Sequence, residues 1–164
     1  MIKIDASSFI YSIKMDWISV LKELYEELII TDSVHKEVIV EGKKKKKADA
    51  FIGEKLIGKY KIQIHDVEKN KGEEMGLGAG ETDTILNALE LNCACLIDDK
   101  KAIRIADSFA LPVISVPISL LNAYKHQIIN DEEFDKYFQK WIGVASPSYE
   151  DIFLIKKAKE VLND

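Results

Sequence analysis

The chain has 164 residues, 47% of them hydrophobic and 31% charged, with a formal net charge of −5. That length suits one hydrophobic core, and the composition lies far from the low-hydrophobicity regime of disordered chains. An acidic balance argues against a non-specific nucleic-acid sleeve, whose affinity comes from Lys and Arg on phosphates, but it leaves room for a local basic patch.

The chain opens on Met1-Ile2-Lys3-Ile4-Asp5, without the apolar h-region of a leader, and no run of about 18 apolar residues follows; no membrane partner and a cytoplasmic location are expected. Residues 2–4 read as a short buried strand that stops at Asp5 and feeds a helix through Phe9-Ile10. Trp17 to Leu28 follows helical spacing, with Asp16 as its N-cap. Ile29-Ile30 is too short to assign, but Thr31-Asp32-Ser33 is a cap cluster opening a helix that carries Glu37 one turn in. Gly42 and the run Lys43, Lys44, Lys45, Lys46 and Lys47 form a basic corner before a helix through Phe51, Ile52 and Leu56 that Gly58 ends.

Tyr60 to His65 alternates at period two, as a half-buried or edge strand with Lys61, Gln63 and His65 facing water. Residues 69–80 hold four glycines and read as a loop, after which Glu81 to Leu91 is helical. Ala94 to Ile97 is an apolar strand ending in Asp98-Asp99, followed by a helix over 101–109 and the strand Leu111 to Ile114. Cys93 and Cys95 lie two apart on this strand and face one side, as buried free thiols rather than a disulfide. Helices over 118–127, 131–141 and 149–162 complete the chain, with Pro117 and Pro147 in first turns. Strands alternating with helices predict an α/β fold with a mostly parallel sheet and helices on both faces. One domain over 1–164 is expected, with 128–164 a helical extension packed on it.

Asp5 and the pair Asp98-Asp99 end apolar strands, while Glu81 and Asp83 open the helix before the second of these. Each has an ordinary reading as a helix cap or first-turn acid. Capping does not require them to share one rim of the sheet, however, and crowded carboxylates raise one another's pKa values unless a cation neutralises them. Oxygen donors without nearby Cys or His suit Mg²⁺ or Mn²⁺, which activate water and stabilise charge building on a phosphodiester. No phosphate loop and no nucleophile elbow occur.

Four segments in order, Ile4-Asp5-Ala6-Ser7-Ser8-Phe9-Ile10-Tyr11, Asp32-Ser33-Val34-His35-Lys36-Glu37-Val38, Gly78-Ala79-Gly80-Glu81-Thr82-Asp83-Thr84-Ile85 and Leu96-Ile97-Asp98-Asp99-Lys100-Lys101-Ala102, carry a resemblance. The chain resembles PIN domains, in the branch that holds VapC-type toxins and their Gly-x-Gly-Glu relatives. The resemblance implies a three-layer, Rossmann-like α/β/α sandwich on a sheet of about five strands, with extra C-terminal helices. It also implies a Mg²⁺- or Mn²⁺-dependent ribonuclease site in which Asp5, Glu37, Glu81 or Asp83, and Asp98 or Asp99 are the acids, with Ser7 orienting Asp5. Lys100 stands where toxin-like members carry a ligand, which leaves open a non-catalytic RNA- or protein-binding module. An enzyme using Asp5 as a phosphoryl nucleophile is a third reading.

RNA, held in part by Lys43 to Lys47, is the expected partner, together with an antitoxin-like protein and a second copy in a homodimer. Trp17, Tyr25 and Tyr60 are expected in the core. Trp141 and Tyr149 are assigned to a sheet edge or a dimer interface.

Overall fold

The structure is a computed structural model and describes residues 1–67 and 75–163. Strand β1 (Ile2–Ile4) leads through α1 (Ala6–Lys14) and α2 (Ile18–Tyr25) to β2 (Leu28–Thr31). Helix α3 (Asp32–His35) widens into a π-helical segment (Lys36–Glu41) and ends in α4 (Gly42–Lys44); α5 (Ala48–Tyr60) then returns to β3 (Gln63–His65). The second half runs α6 (Ala79–Leu91), β4 (Ala94–Leu96), α7 (Lys100–Ser108), β5 (Val113–Ile114), α8 (Val116–Lys125), α9 (Asp131–Ala145) and α10 (Tyr149–Asn163).

All described strand pairs are parallel, in the order β3-β2-β1-β4-β5. Alternation along the strands sends side chains to two apolar clusters. Ile2, Ile4, Ile30 and Leu96 join the larger one with α1, α2, α8 and α9, while Cys95 and Ile97 join the smaller one with α6 and α7. The result is a three-layer α/β/α sandwich. The larger cluster extends to Phe134, Phe138 and Trp141 of α9 and Ile155 of α10.

Several boundaries differ from the sequence expectation. Leu28 belongs to β2, not to the preceding helix: the chain reverses at Glu26, whose φ is 57°, and Leu28 pairs with Ile2 in the sheet. Asp16 does not cap α2; Trp17 does, and Asp16 is itself a left-handed link with φ 61°. Gly58 does not end α5, which continues to Tyr60 and closes on Lys61 in the left-handed region. Residues 69–74 of the expected loop lie outside the described residues, and α6 opens at Ala79, two residues before Glu81. Pro117 does sit in the first turn of α8, whereas Pro147 precedes α10, where the Ser148 hydroxyl accepts the Asp151 N–H at 3.1 Å.

Trp17 is fully buried, its indole N–H donating to Ser119 Oγ at 2.9 Å, and Tyr25 and Tyr60 pack half-buried against the same core. Trp141 is also buried, so it marks neither a sheet edge nor a free interface; Tyr149 is exposed. Cys95 is buried and Cys93 half-buried, both free, and burial pushes the Cys95 thiol up to about 12.

Lys3, on the central strand, is fully buried. Its Nζ lies 3.0 Å from His65 Nδ1, while His65 Nε2 lies 3.0 Å from Gln63 Oε1, so His65 does not simply face water. Burial lowers the pKa of both Lys3 and His65.

Candidate active site

The strand order reverses direction between β1 and β4: the chain moves outward from β1 to β2 and β3, then crosses back to β4 and β5 on the other side. Such a switch point opens a crevice beyond the carboxyl ends of the two strands. Asp5 follows β1 and Asp98 follows β4 with one residue between, so the two acids meet there.

Asp5 is fully buried and serves as the N-cap of α1, with Oδ1 accepting the Ser8 N–H at 2.8 Å. Its second oxygen, Oδ2, is buried without a hydrogen-bond partner among the described residues. Asp98 is fixed from two helices: Ser8 donates its hydroxyl to Oδ2 at 2.7 Å, and the Val116 N–H at the start of α8 donates to Oδ1 at 3.1 Å. Ser8 therefore holds both acids, one with its backbone and one with its side chain. The hydrogen bonds assigned to Ser7 come from Ser8, because the first turn of α1 aims the third residue after the cap back at Asp5. Ser7 instead lines an adjoining crevice of about 370 Å³ with Tyr11, Asp98, Asp99 and Lys100.

Burial is the main cause that lifts the Asp5 carboxyl to about 7, with the charges of Asp98 and Glu81 adding to it and the Ser8 hydrogen bonds opposing it. Asp98 rises to about 6, again chiefly through burial, against hydrogen bonds from Ser8 and Val116. Tyr11, beside both acids, is also shifted upward by burial and by their charges.

The remaining acids spread along the rim. Glu81 caps its own helix, with Oε2 accepting the Gly78 N–H at 2.9 Å. Asp83 accepts the Ser33 hydroxyl, tying α6 to α3. Asp99 caps α7 through the Ala102 N–H at 2.8 Å, so the choice within the Asp98-Asp99 pair falls on Asp98 as the acid facing Asp5. Glu37, in the π-helical segment, reaches the start of α6: a Cβ built on Gly80 would lie 3.3 Å from Glu37 Oε2 and 3.3 Å from Val34. With any side chain at position 80, Glu37 or Val34 would have to give by a few tenths of an ångström.

Lys100 lines the mouth of the crevice but is not directed at Asp5 or Asp98. Its side chain is largely exposed and turns to Asp151 of α10 at 3.8 Å. The lysine run is divided too. Lys43 pairs with Glu54 and Lys44 with Glu41, whereas Lys45 and Lys47 line a small cavity of about 210 Å³ that Glu37 also lines.

A family model described as PIN domain matches residues 1–145. The chain belongs to the PIN-domain family. Comparison with curated proteins returns no match. Family membership brings a nuclease-type fold, and the five-stranded parallel sheet agrees with it.

This PIN domain joins Asp5 and Asp98 through Ser8, but among the described residues it does not close the six acids into one cage. Among the described residues, no three His, Cys, Asp or Glu side chains stand together as a metal site. A Mg²⁺ ion retains several waters and is often held by only one or two carboxylates, so the Asp5–Asp98 pair suits it. The unpartnered Oδ2 of Asp5 is the observation on which that fit rests. Sequence reasoning missed Ser8 and Tyr11. Ser8 was accessible from its place three residues after the cap, while Tyr11 is one α-helical turn further along the same face. Among the described residues, no helix is long and apolar enough to cross a membrane.

Proposed function

We propose that this PIN domain is a divalent-metal-dependent endoribonuclease, using Mg²⁺ or Mn²⁺ to cleave phosphodiester bonds in RNA. The observation that carries the reading is the pair of buried acids at the switch point, one oxygen of which has no partner of its own. When bound, the cation supplies charge neutralisation and an activated water.

The protein's own residues set the rest. Asp5 and Asp98 present the ion-facing oxygens, and Ser8 with the Val116 N–H fixes their angle so that little reorganisation is needed. Glu81, Glu37 and Asp83 extend the acidic rim toward the start of α6. Lys45 and Lys47 offer the phosphate backbone positive charge beside Glu37.

Asp5→Asn is expected to abolish Mn²⁺-stimulated cleavage of single-stranded RNA while leaving the circular dichroism spectrum unchanged. Wild-type protein that cleaves no RNA with either metal would refute the reading.

The absence of a three-ligand cage among the described residues favours one competitor, a non-catalytic RNA- or protein-binding module. Calorimetric titration with Mn²⁺ separates the two, because the module shows no heat that depends on Asp5. The toxin-like role, the antitoxin-like partner and the homodimer rest on the sequence resemblance alone.

A further inference from the structure

A groove of about 540 Å³ runs from Asp98 to α10, between the start of α8 and the end of α9. It has two unlike parts. Asp98, Lys100 and Asp151 give it a polar lip, while Pro117 and Ile118 of α8 and Leu154 of α10 give it two apolar walls. Tyr11, Asp98 and Lys100 line both this groove and the crevice over the acids, so a group lying in the groove is next to the candidate reaction centre. The family match ends at residue 145, before α10 begins, so one wall comes from a part of the chain outside the matched region.

We propose that this groove receives the base of the nucleotide adjacent to the scissile phosphate of single-stranded RNA, and that α10 thereby sets which base stands beside the cut. The proposal rests on Asp5 and Asp98 being the cleavage centre.

Charge decides which part of a nucleotide enters. The lip carries two carboxylates and one ammonium, and Lys100 is already engaged by Asp151, so a phosphate is repelled from the interior while a neutral base is not. Shape points the same way. The volume falls within the roughly 300–1,000 Å³ range of small-molecule sites, and a base enters such a slot only when unstacked, as single strands permit and duplexes do not. Ile118 is 40% exposed and Leu154 55% exposed, and both line the groove. An unstacked base covers them.

The test uses the full chain in two arms. In the binding arm, a fluorescently labelled six-nucleotide RNA is titrated by anisotropy into Asp5→Asn protein, which does not turn it over, in Mg²⁺. Adding Leu154→Glu is expected to weaken binding at least fivefold, and Ile118→Glu from the opposite wall should repeat this. Val161→Glu, on the exposed part of the same helix outside the groove, should change it less than twofold. Equal affinity across these variants, or no measurable binding of RNA at all, overturns the groove.

In the cleavage arm, products from a randomised RNA are sequenced with Asp5 intact. Leu154→Trp, which narrows the groove, should change the base found beside the cut. Cleavage that depends on Asp5 but keeps the same flanking base overturns the proposal and spares the ribonuclease. Binding that falls with Leu154→Glu in a protein without metal-dependent cleavage overturns the ribonuclease reading and, with it, the assignment of this groove to the base beside a cut.

Discussion

The Ser8 hydroxyl lies 2.7 Å from Asp98 Oδ2, and this contact joins the first helix to an acid 90 residues further along the chain. It is the most economical way to register two carboxylates from neighbouring strands, since the same residue's N–H already holds Asp5. Ser8→Ala is expected to lower the metal-dependent cleavage rate at least tenfold and to cost about 1–2 kcal/mol in stability, as a hydrogen bond to a charged group would. Ser7→Ala should have a smaller effect on both. Parallel cleavage assays and urea unfolding of the two variants check this.

Acid titration gives a second prediction. Asp5 and Asp98 have folded pKa values of about 7 and about 6, above the 3.8 of an ordinary aspartate, so the folded chain binds more protons than the unfolded chain between those limits. Their contribution to stability is full below about pH 4 and is lost as the pH rises to about 7, at about 1.4 kcal/mol per pKa unit. Relative to wild type, metal-free Asp5→Asn should therefore gain stability from pH 4 to pH 7 and level off above it. Mn²⁺ should raise the stability of wild type above pH 7 and do little for the variant. Urea midpoints across that range, with and without metal, supply the comparison.

Two glycines should respond oppositely to alanine. At Gly80 the new methyl would meet Glu37 Oε2 and Val34 at 3.3 Å, so Gly80→Ala should destabilise by about 1–2 kcal/mol and reduce cleavage by separating α6 from Glu37. At Gly58, inside α5, nothing lies within 4 Å of an added Cβ, so Gly58→Ala should stabilise by about 0.5–1 kcal/mol. Thermal denaturation of both variants reads the difference in sign.

The buried lysine is testable through its charge. Lys3→Met keeps the length of the side chain and removes an amine whose charged form burial disfavours, and it is expected to stabilise the protein by about 1–3 kcal/mol at neutral pH. The gain should shrink as the pH is raised toward and past about 10.5, above which Lys3 is neutral in both states. Loss of stability instead would show that the Lys3–His65 contact outweighs the cost of burying the amine.

For the basic corner, Lys45→Glu with Lys47→Glu should weaken RNA binding and reduce its salt dependence, since each lost phosphate contact lowers the slope of log K against log salt by about 1. Lys43→Ala with Lys44→Ala should do less, because both lysines are already paired with glutamates. Binding isotherms at several salt concentrations decide it.

Asp5 and the pair Asp98-Asp99 were legible as strand-end acids because apolar runs stop at them, but which of the pair faces Asp5 was not. The choice between Ser7 and Ser8 was not, since it turns on which N–H of a first helical turn points back at the cap. Leu28 satisfies both a helical and a sheet pattern, and the pairing with Ile2 that decides between them is tertiary. Lys3 falls in a stretch that reads as a buried strand, but its contact with His65 of β3 is tertiary and no local pattern reports it. The π-helical turn that carries Glu37 has no side-chain signature, being a change of backbone hydrogen-bonding partner. The groove along α10 required five helices to meet, which no local pattern reports.

The sheet ends at β5 with two residues and at β3 with three. Such brief edges offer few free amides and carbonyls to a neighbouring molecule, so strand-to-strand polymerisation has little template on either side. Self-association of this protein, where it occurs, falls to helix surfaces, and a variant that lengthens β3 would be the one to watch for fibrils.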